Sequence, residues 1–178
     1  MLLPSKFSTQ RCEFIPVSGT GETKAKSHRK FTKRSPGHVY QLVMKSPPIH
    51  ISMIRELSAF VEMQNGKHGA FDVIIPYHID TLGEETNAIS VSAAYLAGAT
   101  VLNIKDLTPN LVGALKSGDF VRFDNHSKVY KSAFDVDADA SGLSTITLTK
   151  PLLSALSTNE GITYKKIKFT VSISEKKR

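Results

Sequence analysis

Hydrophobic and polar positions change their period twice along this chain. Cys12 to Val17 is a short apolar run that stops at Ser18-Gly19, and His38 to Lys45 alternates, with Tyr40, Leu42 and Met44 on one face. Both read as strands, because side chains on a pleated strand point to opposite sides in turn. Ser46-Pro47-Pro48 stops the second, since proline has no N–H to give to a ladder. The period then lengthens to that of a helix over about residues 52–65. Ile54, Leu57, Phe60, Val61 and Gln64 share one stripe, with Arg55, Glu56 and Glu62 off it. Ser52 is the expected N-cap, and Asn65-Gly66 the expected stop, with Gly66 in the left-handed C′ position.

Beyond the helix the period returns to two. Ala70 to Ile75, ended by Pro76, and Thr100 to Ile104 read as strands. Gly118 to Phe123 and Lys128 to Phe134 flank the turn-rich Asp124-Asn125-His126-Ser127 and form the clearest hairpin. Leu143 to Thr149 alternates, and Ile162 to Ile173 reads as one last long strand with Ile167, Phe169, Val171 and Ile173 on one side. Residues 77–98, which contain Gly83-Glu84-Glu85-Thr86-Asn87, read as a long connection. The pattern predicts a mainly β fold, a β-sandwich or split β-barrel carrying one main α-helix.

Segment 18–37 breaks the pattern. Phe31 is its only large apolar side chain, so it predicts an extended loop or arm rather than core. It also carries the charge. Lys24, Lys26, Arg29, Lys30, Lys33 and Arg34 lie within eleven residues with no acid among them, and Lys176-Lys177-Arg178 end the chain. Setting these nine aside leaves 14 of the 23 basic residues against 16 acids, so the net charge of +7 belongs to one arm and one tail. A folded nucleic-acid-binding face recruits cations from its body as well.

Length and composition fit one domain of 178 residues with a basic arm at about 18–37 and a short basic tail. Cys12 is the single cysteine, which excludes an internal disulfide and a multi-thiolate zinc site. No apolar run approaches membrane-spanning length, and Met1-Leu2-Leu3-Pro4-Ser5-Lys6 lacks a signal-peptide core, so the expectation is a protein made and kept in the cytoplasm unless it leaves within a larger particle.

Candidate chemistry is sparse. Gly19-Thr20-Gly21-Glu22-Thr23-Lys24 lacks the spacing of a phosphate loop. Asp135, Asp137 and Asp139 open like a calcium loop, but the sixth position is Ala140 and the twelfth Ile146, where glycine and glutamate are needed. A solvated turn between strands fits better. His28, His38, His50, His68, His78 and His126 show no metal-binding spacing, and no nucleophile elbow occurs. Glu84 and Glu85 sit in a polar loop with nothing to separate their pKa values. No catalytic residue, cofactor or metal site is expected. The candidate partner interface is the arm: Lys24, Lys26, Arg29, Lys30, Phe31, Lys33 and Arg34.

The stretch Leu115 to Lys131 contains Gly118-Asp119, then Asn125-His126-Ser127-Lys128, then Val129-Tyr130. It is similar to a segment of the distal tail proteins of long-tailed bacteriophages, where a Gly-Asp-hydrophobic strand, a His-x-Lys turn and a Val-Tyr strand recur. Asp139-Ala140-Ser141-Gly142-Leu143 and Pro151-Leu152-Leu153 suit that family, as does the order of arm, strand, Pro-Pro, helix, Asn-Gly and strand. The resemblance covers about residues 35–173. It implies a tail-tube-like fold and a hexameric ring in the virion's tail tip or baseplate, joining the tail tube to hub or wedge proteins. DNA passes through such a ring without sequence recognition, no membrane is involved, and there are no catalytic residues to carry over. A tail-tube or tube-capping protein of the same fold is the alternative within this class. A small nucleic-acid-binding β-barrel using the basic arm is the alternative from another class.

Overall fold

The computed structural model describes residue 3 and residues 11–24, 28–66, 68–75 and 80–174. The chain divides into two compact units. One is Ser8–Pro48; the other comprises Met1–Phe7 and Ile49–Arg178.

The smaller unit is a β-hairpin. Strand β1 (Arg11–Lys24) pairs antiparallel with β2 (Lys30–Lys45), from Arg11↔Lys45 to Lys24↔Lys30, with one irregularity between Ser18 and Thr20. Of the segment expected as a loop at 18–37, residues 18–24 and 30–37 thus belong to these two strands, in the far half of the hairpin. Local composition missed this because backbone pairing, not apolar burial, carries the ribbon there. Phe14 and Tyr40 stack at 4.4 Å on one face of its near half.

In the larger unit, helix α1 spans Ile51–Met63. Its cap is His50 rather than the expected Ser52. The His50 backbone is extended, and its Nδ1 accepts from Ser52 N–H at 3.4 Å, which leaves Ser52 inside the first turn. At the other end Asn65 (φ 48°) and Gly66 (φ 65°) are both left-handed. Phe60 and Gln64 are buried and Leu57 half-buried, as the stripe predicts, whereas Ile54 and Val61 on its flank stay exposed. Phe60 meets Phe71 edge-on, with ring centroids 5.1 Å apart. Phe71 belongs to β3 (Ala70–Ile74), which pairs with β10 (Lys168–Ser172) in a two-stranded ribbon.

The remaining strands are β4 (Ile89–Val91), β5 (Val101–Lys105), β6 (Phe120–Phe123), β7 (Val129–Lys131), β8 (Ser144–Thr147) and β9 (Gly161–Thr163). They form one antiparallel sheet in the order β7-β6-β9-β4-β5-β8. Its two end strands meet: Ser132 bridges Leu148, Ala133 N–H donates to Thr147 C=O at 2.7 Å, and Thr149 N–H to Lys131 C=O at 3.0 Å. The sheet therefore curls into a small barrel around fully buried Val91, Leu102, Ile104, Leu115, Val121, Phe123, Tyr130 and Ile146. The protein is mainly β with one helix, as the sequence predicts.

Two expectations are corrected. The connection 77–98 contains β4, a strand at the centre of the sheet whose Ile89 and Val91 are buried. Three residues were too few for a period to stand out. The single last strand 162–173 is broken between β9 and β10, with Lys166 at φ 49°, so that its halves serve different sheets.

Candidate assembly surfaces

The hairpin gathers the sequence-predicted interface residues at one end of the ribbon. Lys24 lies directly opposite Lys30, Thr23 opposite Phe31, Gly21 opposite Lys33 and Thr20 opposite Arg34. Lys26 lies outside the described residues. Lys24, Arg29 and Lys30 are exposed, Phe31 is 55% exposed, and the Arg29 guanidinium sits 5.8 Å from the Phe31 ring centroid. Like charges directly across a ladder disfavour it, so charge density at this end works against the ribbon itself. Nearer the base, Ile15, Val17 and Val39 share one exposed face, with Val17 opposite Val39. A two-stranded ribbon is marginal alone in water, and among the described residues this sheet has only two strands.

At one end of the barrel, loops 80–87, 106–119 and 132–143 are bound together by carboxylates that the sequence reading left without a role. Asp119 is buried and accepts from the Thr81 hydroxyl, from Leu82 N–H at 2.8 Å, from Gly83 N–H at 3.2 Å and from Lys116 N–H at 2.8 Å. Glu85 is fully buried; it accepts from the backbone of Thr86, Asn87 and Thr108 at 2.8, 2.9 and 2.8 Å, and from the Thr108 hydroxyl at 2.9 Å. Burial pushes the Glu85 carboxyl up, but these four donors outweigh it and hold the group below its ordinary value. Glu84 beside it is exposed. Gly83 fits between these loops because a Cβ there would meet the Ala114 carbonyl and lie 2.6 Å from Leu115 Cα.

The alternating aspartates do not converge on one point. Asp135 accepts from Ser117 N–H at 2.8 Å and pairs with Lys116 at 3.0 Å; Asp137 accepts from Gly113 N–H at 2.6 Å; Asp139 caps its own turn through Ser141 and Leu143 N–H, both at 2.8 Å. Each ties down a different stretch of backbone. Among the described residues, no three His, Cys, Asp or Glu side chains are placed to hold a metal ion. Cys12 is half-buried on β1 opposite Met44, and burial raises its thiol pKa, the reverse of an activated nucleophile. No described helix is long and apolar enough to cross a membrane.

The same loops leave Leu82, Val112 and Phe134 largely exposed, at 77%, 74% and 67%. Periodicity could not single these out, because they stand between strands rather than on them. Only the tertiary hydrogen bonds bring residues from three loops to one end. No protein-family model and no curated protein matches the chain.

Proposed function

We propose that this chain is a structural subunit of a bacteriophage tail tip or baseplate, in which copies form a closed, expectedly six-fold ring joining the tail tube to hub or wedge proteins. The observation that carries the proposal is the hairpin. Strands of 14 and 16 residues, with exposed apolar side chains and a cationic end, form a unit separate from a barrel that already has its own core. At the usual rise per residue they extend about 45–50 Å. Such a ribbon gains stability by adding its edges and faces to a neighbour, and repetition around a ring leaves no edge over. The barrel supplies the rigid body that such a subunit needs. The resemblance of Leu115 to Lys131 to distal tail proteins supplies the place.

The test is subunit-resolution electron microscopy of the intact particle, expected to show the chain as a ring at the tail tip. Isolated or two-fold paired copies, or a particle lacking the chain, would overturn the proposal. Stacked repeats along the tail would favour a tail-tube protein instead. The density of cations at the hairpin end favours one reading of another class, a nucleic-acid-binding barrel. Tight binding to plain duplex DNA that weakens steeply with salt would support it.

A further inference from the structure

We infer that the hairpin of one copy docks through its cationic end onto the loop end of the barrel in a second copy. The inference rests on the assembly proposed above and names the contact that would drive it.

Residues 8–48 hold eight Lys and Arg against two acids, six of the eight between Lys24 and Arg34. Loops 80–87, 106–119 and 132–143 hold eight acids against one base, Lys116, and that base is engaged by Asp135. Asp119 and Glu85 are consumed inside; Asp80, Glu84, Asp135 and Asp137 are exposed. The loops are tied to one another, Leu82 to Asp119, Glu84 N–H to Gly113 C=O at 3.1 Å, and the Ser117 hydroxyl to Ala133 C=O at 2.9 Å. They therefore offer a fixed platform whose exposed apolar residues, Leu82, Val112 and Phe134, lie among carboxylates.

Apolar contacts within a charged surround are what a specific interface requires, and the hairpin end has the complement: exposed Lys24, Arg29 and Lys30 around exposed Phe31. Phe31 can bury against the apolar residues while the cations meet the carboxylates. Charge selects the pairing of surfaces. Two acidic loop ends repel each other, as do two cationic hairpin ends, so a two-fold contact through either surface is disfavoured. Hairpin to loop end is the attractive combination. Because every copy carries one of each, the contact propagates head to tail and can close a ring.

The experiment mixes isotopically heavy and light full-length protein, couples lysines to carboxylates with a zero-length carbodiimide, and maps heavy–light links by mass spectrometry. Links from Lys24 or Lys30 to Asp80, Glu84, Asp135 or Asp137 are expected. A variant with Lys24→Glu, Arg29→Glu and Lys30→Glu should self-associate about tenfold more weakly or worse in analytical ultracentrifugation, as should one with Asp80→Lys and Glu84→Lys. Mixing the two variants should restore association, because an acidic hairpin then meets a basic loop end. Links confined to single chains, or no rescue on mixing, overturn the inference. The two claims fail separately. Rescue by a chain absent from tails would keep the contact and remove the tail assignment. A tail-tip ring without these links would do the opposite.

Discussion

The Tyr130 hydroxyl lies 2.9 Å from His126 Nε2, and a third group meets the same oxygen. Leu153 N–H donates to the same hydroxyl at 2.9 Å. His126 Nδ1 faces Asn125 Oδ1, and the Asn125 amide in turn donates to Ala155 C=O at 2.8 Å. The β6–β7 turn is thereby tied to the loop that follows β8.

Protonating His126 places a charge on a half-buried ring. Burial holds the ring's pKa below its ordinary value near 6.5, aided by Arg122 and Lys128 and opposed by Glu160. A base with a depressed folded pKa contributes stability that is present above the unfolded value and is lost as pH falls through the folded one. The melting temperature should thus decline as pH drops from about 7.5 to about 5. His126→Gln should flatten that decline. An unchanged slope in this variant would remove His126 from the account.

A second loss belongs to Glu85. Its depressed pKa contributes stability above its ordinary 4.5 that disappears as pH falls further, so the two groups act in successive windows. At neutral pH, Glu85→Ala or Asp119→Ala strands several buried N–H groups at once. Each should destabilise the chain by about 2–4 kcal/mol in urea unfolding. A change near zero would mean that the loops relax to water without cost.

Core truncation should separate two helix residues on one stripe. Phe60 is 4% exposed and meets Phe71, so Phe60→Ala should cost about 3–5 kcal/mol. Leu57 is only half-buried, and Leu57→Ala should cost about 1–2 kcal/mol. Equal losses in chemical denaturation would contradict this placement of the helix.

Replacing Lys24, Lys26, Arg29, Lys30, Lys33 and Arg34 by Ser should leave the barrel's unfolding transition within about 0.5 kcal/mol, because it has its own core. Under the proposed tail assignment it should sharply reduce incorporation into tails, read by particle yield and infectivity in a complementation assay. Normal assembly would reduce the charge run to a solvated ribbon end.

Much of the fold was legible locally. The 3.6-residue stripe around Phe60 marked the helix, and alternation marked β5, β8 and the β6–β7 hairpin, because burial on one face repeats with the geometry of the backbone. The candidate surfaces were legible only in part. The cations of 24–34 could be read off, but their pairing across a ladder could not, since register depends on the partner strand.

What the sequence by itself determined is the fold class of the protein: short amphipathic strands, one helix, and charge concentrated in one segment. Tertiary structure alone decided that β7 and β8 close the barrel, that Ile162–Ile173 divides between two sheets, and that Glu85 is buried while Glu84 is exposed. The physical reason is range. Periodicity records which side of an element faces the core, within a few residues. The donors that hold Asp119, from Thr81 to Gly83, lie up to 38 residues away, and no local pattern encodes that meeting.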